Sequence, residues 1–552
     1  MRPKNMKNVT LEMQLLLALM AAVMLLLTPT AYAAAPGITG PTFNLTAQQA
    51  YLNQPDGEAI YSWGYGCNGA PAGFAPTMPG QNCPTMQVPG PTLIVHENDS
   101  VTVNLINQLP GAAGNTSILF PGFNVTATGG VTGLLTQEAV PGGAAVKYTF
   151  TASAPGTHAY YSGTQGDLQV EMGLYGAIIV LPANVTANCD SGYHTLNGTA
   201  RGTWGERDFR LAHAAYDHPG SCYDREYLFQ WAEMDSRIHR QAAAQVSALA
   251  GCTAGAVGCS LSVQTEPYHP AYFLINGRSM PDLMDPNFAG EYPHQPYNGN
   301  PHMHMGELVL IRTIGQGRWQ HPFHEHANHV RILARDGNLV LSGSTTNVNY
   351  SDSVGTAVPG RGLAGTLMFN TDTTPGQAFD GIFYFTGRGL NWDPYGHHPV
   401  SSTGDPLATL GCTPDANGYN SGAPGAVNFM EWCQDHNKPV QVNPFGDVAA
   451  GGPATLPDPN VFTNGPWYSG TPYFGPDANL RAAMPACAST ANANCTTLNP
   501  ANLQLNPANE RGWAFMWHSH NEREITTNNV FPGGMLMMML VDSREFVIDE
   551  SQ

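Results

Sequence analysis

Two His-x-His pairs stand far apart in this chain. His324-Glu325-His326 lies inside His321-Pro322-Phe323-His324-Glu325-His326-Ala327-Asn328-His329, between the apolar runs Leu308–Ile311 and Val330–Leu333. His518-Ser519-His520 follows Trp517 near the end of the sequence. In an extended segment, residues two apart share a face, so each pair can present two ring nitrogens to one point. Two strands side by side would then offer four nitrogen donors to a metal, and copper, zinc and iron all accept imidazole.

The composition agrees with strands and turns rather than a helical bundle: 61 glycines, 44 prolines and only 11% charged residues. A formal charge of −19 disfavours nucleic acid and anionic membranes as partners. The basic start (Arg2, Lys4, Lys7), the apolar run Leu15–Leu27 and the small residues Ala31-Tyr32-Ala33 read as a signal peptide over residues 1–33, cleaved near Ala33. No second long apolar stretch follows, so no membrane span is expected. The mature protein is expected to be secreted or periplasmic. Its ten cysteines fall into sequence neighbours: Cys67 with Cys83, Cys189 with Cys222, Cys252 with Cys259, Cys412 with Cys433, and Cys487 with Cys495. Five disulfides closing loops are the simplest reading, with other connectivities open. There is no C-x-x-C spacing, which argues against a thiolate zinc site.

Between Pro41 and Pro182 the chain reads as short strands. Leu93-Ile94-Val95, a turn at Glu97-Asn98-Asp99-Ser100, and the alternating Val101-Thr102-Val103-Asn104-Leu105 set the pattern. A β-sandwich fits residues 37–183. Residues 184–264 read as a connector with one strand, Glu226–Glu233, and a short helix from Ser236 to Leu249 ended by Gly251. A second sandwich is expected over 265–547. It is interrupted at about 388–510 by a long loop insertion rich in Asn, Pro and Gly.

Several stretches resemble the multicopper oxidases. Gly90 to Pro110, Pro155-Gly156-Thr157 and Met172-Gly173-Leu174-Tyr175-Gly176 are similar to that family's first cupredoxin domain, and the two histidine motifs are similar to its C-terminal copper motifs. The resemblance implies an all-β fold of tandem cupredoxin-like Greek-key β-sandwich domains. It also implies that His324, His326, His518 and His520 face a former three-copper cluster, with His321 left over from the type 1 copper site. The family's first-domain His-x-His pairs are missing, however. Their positions fall near Leu119-Phe120-Pro121-Gly122 and Tyr161-Ser162-Gly163, and the type 1 cysteine is replaced by Ser519. One or two copper ions are therefore expected rather than four. Glu522 and Glu524 are placed to orient histidines or to act as oxygen ligands. Tyr160 and Tyr161 stand where relatives carry ligands, as redox-active phenols or as filling of a vacated site. A weaker cluster, His294 with His302-Met303-His304-Met305, lies on an expected loop, and His397-His398 has no evident partner.

The resemblance thus implies an exported copper-dependent oxidoreductase with a reduced copper site, drawing electrons from a small-molecule reductant or a redox partner protein. The alternative is a non-catalytic cupredoxin-fold copper-binding or structural surface protein. A nitrite-reductase-like enzyme would need the missing cysteine, and only ligand type supports a zinc hydrolase. Two-domain relatives imply a homotrimer.

Overall fold

The computed structural model describes residues 34–183 (apart from 79), 208–343, 362–386 and 512–542, with short pieces within 350–358 and 411–436, at 473–474 and at a few single positions. The expected signal peptide, His397-His398, the Cys487/Cys495 pairing and most of the 388–510 insertion lie outside the described residues.

The chain is built almost wholly of strands. In the first sandwich, one sheet runs in the order Gly156–Tyr161, Tyr175–Leu181, Leu93–His96, Gly37–Thr39, Phe74–Ala75. The other runs Ala59–Cys67, Thr42–Asn53, Ser100–Asn107, Val146–Thr151, Thr126–Thr128. The alternation read from the sequence is what the sheet buries. Val101, Val103 and Leu105 point into the core, and Tyr148 pairs opposite Val103 with Phe150 opposite Val101.

The second sandwich has one sheet ordered Tyr272–Ile275, Arg225–Met234, Leu308–Gly315, Ala378–Tyr384, Val330–Arg335, Asn338–Leu339. Its other sheet is ordered His302–His304, Leu536–Asp542, Gly512–Ser519, His321–Glu325, Asn370–Thr373. The strand expected inside a connector therefore sits within this domain's sheet, hydrogen-bonded on both sides. It shows no alternation because both of its faces are covered. Tyr227, Phe229 and Trp231 enter the second core, whereas Leu228, Ala232 and Met234 pack with residues of the first sandwich. The helix Ser236–Ala248 follows, capped by the Asp235 carboxylate, which accepts from the Arg237 amide at 2.9 Å. Its Ile238 and Ala242 join the core of the first sandwich, so the segment ties the two domains together.

Between the domains lies a buried ionic group. Arg312 donates to Glu226 at 2.8 Å and lies 3.8 Å from Asp380. Asp380 also accepts from the Thr157 hydroxyl at 2.6 Å and the Tyr216 hydroxyl at 2.5 Å. Four of the expected disulfides are formed: Cys67–Cys83, Cys189–Cys222, Cys252–Cys259 and Cys412–Cys433. Among the described residues no helix is long and apolar enough to cross a membrane.

Candidate metal centre

The two His-x-His pairs lie on neighbouring antiparallel strands, with His324 directly opposite His518. The His326 amide donates to the Met516 carbonyl and the His520 amide to the Pro322 carbonyl, which fixes the register on either side. Residues two apart on each strand share a face, so all four rings gather on one side of the sheet. Ring centroids are 4.9 Å apart for His324 and His326, 5.4 Å for His324 and His518, and 5.2 Å for His326 and His518. Potential ligand atoms of these three buried side chains lie within 4.8 Å of one another. His520 stands at the rim, 52% exposed, with its ring 4.8 Å from that of His324.

Local hydrogen bonds select tautomers. His324 Nδ1 is 2.7 Å from the Phe369 carbonyl and His518 Nδ1 is 2.6 Å from the Ser519 carbonyl. A proton on each Nδ1 turns the Nε2 lone pair toward the cluster. His518 Nε2 and His326 Nε2 are already 3.2 Å apart. Burial lowers the pKa of His324 to about 4, and the nearby His518 and His520 rings add to the effect. Burial likewise pushes His518 below the usual histidine value. His324 and His518 are thus held neutral, the form in which imidazoles bind metals.

His321 does not join this cluster. It is an odd number of residues from His324, so it faces the opposite, core side of the strand. There Nε2 is 2.9 Å from a Glu233 oxygen and Nδ1 is 2.8 Å from a Glu524 oxygen. Both ring nitrogens are taken by carboxylates, and this corrects the expectation that His321 is a metal ligand. Ser519, at the expected type 1 cysteine position, is buried on the same side and donates to Glu524 at 2.5 Å. A charge network thus occupies the place of a soft-ligand site. Desolvation opposes protonation of His321, but hydrogen bonds to the two carboxylates prevail and raise its pKa to about 9. A histidine with a raised folded-state pKa stabilises the fold fully below pH 6.5, and that stabilisation fades as pH climbs through about 9. The urea midpoint of the native protein is expected to fall across this window. His321→Gln should flatten that slope, and an unchanged slope would contradict the ion network.

Glu524 orients His321 rather than a cluster histidine, whereas Glu522 is exposed and 3.9 Å from His520. Tyr160 is buried in the first core, donating to the Pro91 carbonyl at 2.7 Å, with its ring 5.8 Å from Phe120. Phe120 stacks in turn on Phe150 at 4.9 Å. Aromatic packing therefore fills the region where ligands of the first domain were expected. The secondary His/Met cluster is a strand rather than a loop: His302–His304 pairs with Leu540–Asp542, and Met303 and Met305 point into the core. His294 Nδ1 is 2.8 Å from the Met86 carbonyl. Met535, Met537 and Met539 also fill the second core. Cys412, Glu431 and His436 come close enough together to suggest a metal, but the Cys412 sulfur is bonded to Cys433.

The residues that sequence reading passed over are Glu233, the Phe369 carbonyl and Glu325. Glu325 is fully buried beneath the cluster, accepts from the Thr371 hydroxyl at 3.1 Å, and is pushed far above the usual carboxylate range by desolvation. The available signal was a set of charged and polar residues, Arg225, Glu226, Gln230 and Glu233, inside a strand whose other residues are aromatic or aliphatic.

A multicopper oxidase family model matches residues 84–185. A multicopper oxidase MCE of Talaromyces pinophilus is 37% identical over 99 residues, 17% of this chain and 15% of that protein. An iron transport multicopper oxidase fetC of Epichloe festucae is 38% identical over 94 residues, 17% of this chain and 14% of that protein. The chain thus aligns with about one-seventh of the length of these relatives. Among solved structures, a blue copper oxidase from Nitrosomonas europaea matches with a TM-score of 0.41 at 14% identity, covering 90% of this chain and 85% of that one.

Proposed function

We propose that this chain is an exported copper-dependent oxidoreductase of the multicopper oxidase superfamily, with a reduced copper site held by His324, His326 and His518. The observation that carries this reading is the strand register that places His324 opposite His518 with His326 beside them. The donor set suits the metal: three imidazoles, two of them with tautomers set by backbone carbonyls, form a borderline ligand field in which copper outcompetes other first-row divalent ions. His520 at the rim is a fourth imidazole within reach of a side-chain rotation. A bound copper ion supplies one-electron redox chemistry. The protein holds His324 and His518 neutral, keeps the core side of the sheet closed with Phe323, Glu325 and Trp517, and leaves the His520 side open to a small-molecule reductant or redox partner.

One or two ions fit one face of one sheet better than four do. Because burial depresses His324 and His518, copper should stay bound well below pH 6.5 and leave only as pH approaches about 4. Equilibrium dialysis across this range measures it, and release near pH 6.5 would mean that the ligands are ordinary exposed histidines. Turnover of a reductant with oxygen uptake, lost in both His324→Ala and His518→Ala, tests the enzymatic reading.

A second reading, a non-catalytic copper-binding protein, is favoured by one observation. Ser519 and the Glu233–His321–Glu524 group fill the place where a type 1 copper would receive electrons. Tight copper without turnover would select it. Because all four histidines lie on one sheet, a neighbouring subunit is a natural cover for the cluster. The homotrimer proposed on this basis is checked by sedimentation mass.

A further inference from the structure

Behind the cluster runs a buried hydrogen-bonded chain that a metal site alone does not require. The Tyr268 hydroxyl is 2.6 Å from a Glu171 oxygen and 3.1 Å from a Glu233 oxygen. The other Glu233 oxygen meets His321, His321 meets Glu524, and Glu524 accepts from Ser519. Glu171, Glu233, His321, Glu524 and Ser519 are all buried. The chain ends on the two strands that carry the histidine cluster: His321 lies on the strand of His324, and Ser519 directly follows His518. At its outer end Tyr268 is half-buried, with Trp319 edge-on at 5.6 Å and the Arg318 guanidinium 4.2 Å over its ring.

Two carboxylates, Glu171 from the first sandwich and Glu233 from the second, converge on one phenol. Both carboxylates also face histidines: His239 Nε2 is 3.6 Å from a Glu171 oxygen, and His321 pairs with Glu233. Burial and these two anions hold the phenol's pKa well above 10, so it does not ionise by itself. Removing an electron makes a phenol strongly acidic, and a carboxylate already hydrogen-bonded to it then takes the proton at once. Glu233 is already engaged by the Arg318 and Trp319 amides and by His321. Glu171 has the shorter bond to the phenol, and desolvation raises its proton affinity.

We propose that Tyr268 is a one-electron relay site whose proton is handed to Glu171. In the oxidising step a one-electron acceptor takes an electron from the Tyr268 ring. The phenolic O–H bond breaks, the proton forms an O–H bond on the Glu171 carboxylate, and a neutral phenoxyl radical is left. In the return step a one-electron donor at the Trp319–Tyr268 surface restores the electron, and the proton moves back from Glu171 to the phenolate oxygen. Only the identity of the natural acceptor, a cupric ion at the histidine triad, rests on the function proposed above. The relay itself is testable without metal.

The test uses metal-free protein and photogenerated tris(bipyridine)ruthenium(III) as the oxidant, with electron paramagnetic resonance on freeze-trapped samples. The expected result is a tyrosyl signal that is lost in Tyr268→Phe. Its formation should slow in deuterated solvent and fall about 100-fold in Glu171→Gln, the scale of a lost general base. A signal of undiminished intensity in Tyr268→Phe overturns the proposal. To avoid dependence on a variant that folds poorly, nitroso spin-trap adducts on wild-type protein are mapped by peptide mass spectrometry. Adducts at Tyr268 or Trp319 support the relay, and adducts confined to exposed tyrosines such as Tyr51 refute it. Failure here leaves copper binding untouched, and failure of copper binding leaves this radical in place.

Discussion

The double variant His324→Ala/His518→Ala is expected to abolish tight copper binding while the protein stays folded. The two side chains stand directly opposite each other across the strand pair and supply two of the three clustered imidazoles. Loss of even an outer partner of a ligand typically costs about 10–100-fold in affinity, so losing two ligands should exceed that range. The fold should survive because the core side of these strands is held independently by Phe323 and Trp517, whose rings are 6.0 Å apart, and by Trp231 at 4.7 Å from Phe323. Isothermal titration with cupric ion, beside a thermal melt of the same sample, separates the two effects. Unchanged affinity in a folded variant would place the metal elsewhere.

The largest loss of stability should follow from Arg312→Ala. This guanidinium is fully buried between the domains, 2.8 Å from Glu226 and 3.8 Å from Asp380. Its own burial works against its charge, but the two carboxylates outweigh that cost and hold it firmly protonated. Truncation strands two buried carboxylates, and breaking a buried pair in this way costs about 3–5 kcal/mol. Replacing the whole group with neutral residues (Glu226→Gln, Arg312→Met, Asp380→Asn) should recover much of the loss, because no bare charge then remains. Urea unfolding measures both. A loss below about 1 kcal/mol in Arg312→Ala would mean that the carboxylates find water or protons cheaply, with only surface-like ion pairing on this face of the second sandwich.

Much of the architecture was legible where only one face of a strand is buried. The alternation at Val101–Leu105 appears directly as core and half-buried positions, and the period of two brought the paired histidines to one face. Pairing cysteines with their sequence neighbours matched the four described disulfides, since each closes a short loop. Legibility failed where both faces are buried: Arg225–Met234 carries no alternation and was read as part of a connector. It failed again where resemblance was followed past geometry. Parity alone separates His321 from His324 and Ser519 from His518, yet His321 was grouped with the metal ligands by family position. The buried carboxylates that occupy His321 come from residue 233, in the first strand of the second sandwich, and residue 524, in a loop after the last histidine. Only the folded sheet brings them together.

The most direct measurement is elemental analysis of the copper-reconstituted wild-type protein together with its electron paramagnetic resonance spectrum. One or two coppers per chain, with nitrogen hyperfine structure from imidazole and no intense blue absorption, is the predicted result. No tightly bound copper would contradict a histidine-held site, and four coppers with an intense blue band would contradict the replacement of the thiolate ligand by Ser519 and its carboxylate network.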